Sequence, residues 1–126
     1  MITTVDVETS WQVTSTGGYD PSPFHPDNIL VSVGINDEYY FTNHSERIDK
    51  GCYHNIQSIL DKTTLLIGHN IKFDLMWLLE SGFKYNGRVY DTMLGEYILN
   101  RGIRKSLTLE MSCRRRRIGS KDSRIK

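Results

Sequence analysis

At 126 residues the chain can bury one real core and has no room for a second domain of that size. Its 38% hydrophobic and 25% charged content is that of a soluble globular protein, with no apolar run long enough to span a membrane and no basic-then-apolar leader. Two cysteines, Cys52 and Cys113, fit a reducing, cytoplasmic interior (that of a host cell if the source is viral) and argue against a disulfide or zinc framework.

The first element in the chain is the stretch on which the rest is organised. Ile2-Thr3-Thr4 is β-prone and leads into Val5-Asp6-Val7-Glu8-Thr9, the end of a first strand. Side chains alternate along a strand, so Asp6 and Glu8 share a face. Two carboxylates so close repel each other; either they stand in solvent or a cation sits between them. Oxygen-only ligands of this kind suit Mg²⁺ or Mn²⁺.

Ser10 to Asn28 is polar and holds all three prolines, which predicts a loop. Trp11 and Phe24 lie within it, each either a lid on the core edge or, beside two carboxylates, a surface on which a base can stack. Ile29 to Ile35 and Tyr39 to Thr42 flank Asn36-Asp37 and predict an antiparallel hairpin. Tyr53, Ile56, Ile59 and Leu60 share one helical face, predicting a helix over Gly51 to Asp61. Thr63 to Ile67 predicts a short strand buried on both faces.

Gly68-His69-Asn70 breaks that strand, and a largely buried helix follows to about Glu80, stopped by Gly82. Asn70 is placed to cap it, and Asp74 falls on the same face four residues on. An acid in the first turn of a buried helix is stabilised by the helix dipole, and further by a metal. Val89-Tyr90 is a brief strand and Asp91 a good N-cap for a third helix, with Met93, Leu94, Tyr97 and Ile98 as its apolar side. Leu107, Leu109 and Met111 suggest a shorter element before the run Arg114 to Arg117. The order β-β-β-α-β-α-β-α predicts an α/β fold with a mixed five-stranded sheet flanked by helices, its chemistry at the carboxyl ends of the strands. A domain over 1–118 and a basic tail over 119–126 are the expected divisions.

The net charge of +1 hides an asymmetry: residues 1–100 hold 6 Lys and Arg against 13 Asp and Glu, whereas residues 101–126 hold 10 against 2. A basic end on an acidic domain suggests a polyanion partner, with a solvated tail as the other reading.

Three motifs taken together are more specific than any alone. Asp6-Val7-Glu8, Asn70-Ile71-Lys72-Phe73-Asp74 and Tyr90-Asp91-Thr92-Met93-Leu94 with Tyr97-Ile98-Leu99 resemble the DEDD 3′–5′ exonucleases. The likeness is greatest to the proofreading domain of family A DNA polymerases, particularly those of bacteriophages, and Pro26-Asp27-Asn28-Ile29-Leu30-Val31-Ser32-Val33-Gly34 shares it. The resemblance covers nearly the whole chain. It implies a ribonuclease H-like fold and two-metal hydrolysis, by Mg²⁺ or Mn²⁺, of the 3′-terminal phosphodiester of single-stranded DNA. By the same resemblance Asp6 would bridge both ions, Glu8 would hold the one that activates water, and Asp74 the other. Thr9 and Asn70 would position the terminal nucleotide, and Asp91 would be a structural cap. Trp11 and Arg114, Arg115, Arg116 and Arg117 complete the expected nucleic-acid surface.

One departure stands out. The family pattern has a fourth carboxylate on a later helix, in Y-x-x-x-D or H-x-x-x-x-D. Here the acids after Glu96 are Glu110 and Asp122, and neither has that Tyr or His before it. The expectation is a domain lacking its last catalytic helix and a poor nuclease alone, a fragment or one piece of a split polymerase whose partner is the polymerase domain. The alternative is a non-catalytic binding or accessory module that keeps the fold.

Overall fold

The computed structural model describes residues 1–41, 50–101 and 106–118. The Thr42 end of the expected hairpin, Asp122 and the expected tail over 119–126 lie outside them. The centre of the fold is β1 (Ile2–Thr9), in which Thr3, Val5 and Val7 are buried while Thr4 and Asp6 face outward. After it come two very short strands, β2 (Gln12–Val13) and β3 (Tyr19–Asp20), paired antiparallel as a separate ribbon. The stretch expected to be a featureless loop thus contains regular pairing, made between its prolines and β1.

The main sheet is completed by β4 (Leu30–Ile35), β5 (Glu38–Phe41), β6 (Leu65–Gly68) and β7 (Arg88–Asp91), in the order β5-β4-β1-β6-β7. β1, β6 and β7 run parallel, while β4 and β5 are antiparallel to their neighbours. Ile35 opposite Glu38 leaves Asn36-Asp37 as a two-residue turn, with Asn36 at φ 54°, a conformation asparagine tolerates. This is the mixed five-stranded sheet the sequence predicts.

Among the described residues four helices accompany it: α1 (Lys50–Lys62), α2 (Ile71–Glu80), α3 (Thr92–Leu99) and α4 (Leu109–Arg116). Val5, Val7, Val33, Ile35 and Leu66 from the sheet pack with Ile56 and Leu60 of α1 and Ile71, Trp77 and Leu78 of α2 in one core. Tyr53 and Phe83 stack at 4.7 Å and tie α1 to the segment after α2. β6 is less enclosed than expected, with Leu65 and Ile67 only half-buried.

α3 reverses the expectation set by its periodicity. Leu94, Tyr97, Ile98 and Leu99 are exposed, and the side chains it buries are Glu96 and Asn100. The cause lies on α4: Arg115 Nε meets Glu96 Oε1 at 2.9 Å and Arg116 Nε meets Glu96 Oε2 at 3.3 Å. The Arg115 hydrogen bond, with Arg116, holds the Glu96 carboxyl below the usual carboxylate range. A buried ion pair with both carboxylate oxygens engaged fixes which side of α3 turns inward.

Candidate nuclease site

The site gathers at one edge of the sheet because the parallel strands end there at different lengths. Thr4 pairs with Ile67, so β6 stops at Gly68 while β1 continues for several residues past it. Val7 N–H therefore has no ladder partner on that side. It donates to Asp74 Oδ1 at 3.1 Å instead, from the first turn of α2. Asp74 is placed by the strand overhang, and an unmet backbone donor explains part of its burial.

Asp74 is 3% exposed, and its carboxyl is pushed up to about 7. Desolvation is the main cause, opposed by the Val7 N–H and increased by the charges of Asp6, Asp91 and Glu8. Four carboxylates thus share one field. Gly68 lets α2 start close against the strand end: a Cβ there would meet Ile71 Cδ1 at 2.6 Å and Val5 O at 3.3 Å, with Asp74 Oδ2 at 3.4 Å. The oxygen donors fit a hard divalent ion in kind. Among the described residues, however, no three His, Cys, Asp or Glu side chains are gathered closely enough to hold one as they stand.

Asp91 is occupied by the backbone. Its Oδ1 accepts from Met93 N at 2.9 Å and from Asn70 N at 2.8 Å, so one carboxylate caps α3 and braces the start of α2. Asn70 precedes α2 in a left-handed conformation, φ 60°, and makes no side-chain cap hydrogen bond. The expected side-chain capping by Asn70 is therefore corrected: Asp91 accepts its N–H, and the Asn70 side chain is left exposed at the edge. Thr9 lies at the end of β1, where the register with β4 shifts between Glu8 and Thr9.

His69 was not singled out by its sequence context beyond breaking a strand. In the structure Nδ1 lies 2.8 Å from Thr92 Oγ1 and Nε2 2.5 Å from the Leu107 carbonyl oxygen. The carbonyl accepts, so Nε2 carries a proton and, in the neutral ring, the Thr92 hydroxyl donates to Nδ1. The imidazole thereby pins the end of β6 to α3 and to the approach to α4. A cavity of about 260 Å³ opens here on the Asp6 face, lined by Thr4, Asp6, Tyr39, Ile67, His69 and Leu109 among others.

The four arginines are not equivalent, contrary to their reading as one phosphate-facing run. Arg115 and Arg116 are committed to Glu96, and Arg114 makes an exposed pair with Glu110 at 3.0 Å. Arg117 ends α4 at φ 56°. Only Arg114 and Arg117 are positioned to exchange solvent for phosphate cheaply. Replacing these two by Ser is expected to lower the salt slope of single-strand binding by about 1.4, at about 0.7 per contact. Replacing Arg115 and Arg116 instead should loosen α4 and expose it to protease, since Glu96 would be left buried without its partners. Salt titrations and limited proteolysis of the two double variants separate these outcomes.

A search of curated proteins finds no match for this chain. A family model described as 3′–5′ exonuclease, of the DNA polymerase A type, matches residues 16–110, a span that holds Asp74 and Asp91 and begins after Asp6 and Glu8. No described helix is long and apolar enough to cross a membrane. With the match extending over well more than half of its length, and a mixed sheet of the ribonuclease H-like kind beneath it, the chain belongs to the 3′–5′ exonuclease family of DNA polymerase A.

Proposed function

We propose that this chain acts on the 3′ end of single-stranded DNA, hydrolysing the terminal phosphodiester, with Asp6, Glu8 and Asp74 holding Mg²⁺ or Mn²⁺. The observation that carries the reading is Asp74, a carboxyl that burial and three neighbouring acids drive to about 7 at the strand edge. Such a group is costly without a counter-charge, and an ion shared with the outward-facing Asp6 and Glu8 supplies one. When bound, two such ions stabilise the attacking and leaving oxygens together. The chain's own residues do the rest. The backbone at Thr9 and the exposed side chain of Asn70 flank the cleft and orient the terminal nucleotide. Asp91 holds the two helix starts in place, as its two N–H bonds require. A polymerase domain is the natural partner for such a proofreading activity.

A second reading, a nucleic-acid-binding module that keeps the fold without the activity, draws on one observation. The described acids are not drawn together into a ready metal site.

The experiment follows release of mononucleotides from 3′-labelled and 5′-labelled oligodeoxynucleotides with Mn²⁺ or Mg²⁺. Release of the 3′ label first, abolished by chelator, is expected. Asp6→Asn should slow it by about a hundredfold or more, the scale of losing one positioned catalytic group. A parent that binds the strand and releases nothing with either metal would establish the second reading instead.

A further inference from the structure

The ribbon of β2 and β3 leaves β1 directly after Thr9, and its backbone is fastened firmly. Ser10 N donates to Ile29 O at 3.0 Å and Ile29 N returns to Ser10 Oγ at 2.7 Å. The buried Asn28 amide donates to Asp20 O and Ser22 O, both at 2.9 Å. Trp77 Nε1 donates to Pro21 O at 2.9 Å, and Trp77 lies one helical turn beyond Asp74 on α2. The ribbon is therefore anchored to the helix that carries the candidate metal ligand.

This fixed segment turns apolar surface outward. Trp11 is 53% exposed, Tyr19 69%, Phe24 65% and Val13 65%. Trp11 and Tyr19 meet edge to face, with ring centroids 4.4 Å apart and planes at 72°, so each restrains the other. Residues 10–28 contain no Lys or Arg and include Asp20 and Asp27. Such a surface repels phosphates, yet its π-faces suit nucleobases, which stack on aromatic rings with little regard to sequence. Trp11 stands two residues past Thr9, so the aromatic pair follows directly on the strand end that carries Asp6 and Glu8.

We propose that the Trp11–Tyr19 pair, with Phe24 exposed on the segment that follows the ribbon, is a base-stacking platform that takes the bases of single-stranded DNA while the phosphates are left to other parts of the chain. The proposal rests on the exonuclease reading of the adjoining site and adds the surface that grips its substrate.

The test measures binding of labelled oligothymidylate to the full 126-residue chain in EDTA, across a series of salt concentrations. Trp11→Ala is expected to weaken binding about tenfold or more, the scale of one lost base stack. Its salt slope should match the parent's, because no phosphate contact is lost. Tyr19→Ala should weaken binding less, and Trp11→Phe should keep most of it. A strand with abasic sites should bind the parent no better than an intact strand binds Trp11→Ala. Trp11 lies outside the core, and coincident thermal unfolding of parent and variants confirms that folding is unaffected. Unchanged affinity in Trp11→Ala overturns the platform and leaves the exonuclease reading standing, with the ribbon then a protein-docking patch. A reduced salt slope in that variant also overturns it. A parent that binds no single strand at all also overturns the platform, while release of the 3′ label with Mn²⁺ decides the exonuclease reading separately.

Discussion

Asp74→Asn is expected to stabilise the metal-free protein at pH 8 by about 2–4 kcal/mol, while weakening its binding of Mn²⁺. The folded-state pKa of Asp74 is about 7 and its ordinary value 3.8. Between those values the folded protein holds a proton that the unfolded chain has released. Stability from this group is thus greatest below about pH 4, falls as pH rises from 4 to 7, and above 7 stays reduced by the full cost of a buried charge. Asparagine keeps an oxygen to accept from Val7 N–H and offers its amide to the surrounding acids, so the backbone anchor survives. The stabilisation should accordingly be small at pH 4 and fully expressed at pH 8. Urea unfolding of both proteins at the two pH values, in EDTA and in excess Mn²⁺, measures it. In excess Mn²⁺ the gap should narrow, because ligand binding stabilises the parent more than the variant. An asparagine variant less stable than the parent at pH 8 in EDTA would mean that the Asp74 carboxylate is satisfied by something other than a cation.

The sheet is the part of the molecule most legible in the sequence, and the reasons are local. Val5 and Val7 alternate with Asp6 and Glu8, and Asn36-Asp37 sits between two β-rich runs; strand pairing follows directly from such patterns. The helix over Lys50–Lys62 is likewise announced by Tyr53, Ile56, Ile59 and Leu60. The ribbon is not, because two residues per strand carry no period, and Asn28 and Trp77, which fasten it, lie 8 and 56 residues from the atoms they bind.

α3 shows a different limit. Periodicity finds its apolar side but cannot say which side turns inward, and that choice depends on Arg115 and Arg116, 19 and 20 residues away. At the site, residue type marks Asp6, Glu8, Asp74 and Asp91 as acids worth attention. What separates Asp74 from Asp91 is where backbone donors fall. The overhang of β1 leaves one N–H for Asp74, and the left-handed turn at Asn70 gives another to Asp91. Neither follows from spacing alone.

The same buried carboxyl governs how metal affinity should depend on pH. An ion that takes Asp74 as a ligand must displace its proton, so apparent affinity tracks the ionised fraction. With a pKa of about 7, that fraction rises nearly tenfold per pH unit from pH 5 and levels above 7. Mn²⁺ affinity is therefore expected to climb about a hundredfold between pH 5 and 8, with most of the rise complete by pH 7. The absolute affinity should be weak even at the plateau, since the described acids must shift to converge on an ion and they repel one another until it arrives. Calorimetric or proton-relaxation titration with Mn²⁺ at several pH values gives the profile. Asp74→Asn should bind more weakly at every pH and lose most of the slope between 5 and 7, because the proton that competes with the metal is gone. Asp6→Asn should weaken binding too, but with a different profile. Removing one of the charges that raise Asp74 lets its carboxyl ionise at lower pH, so the rise should move downward along the pH axis. A parent profile flat from pH 5 to 8 would show that the ion displaces no proton from Asp74. The buried acid would then serve only as the acceptor for Val7 N–H, leaving Asp6 and Glu8 to bind any metal without it.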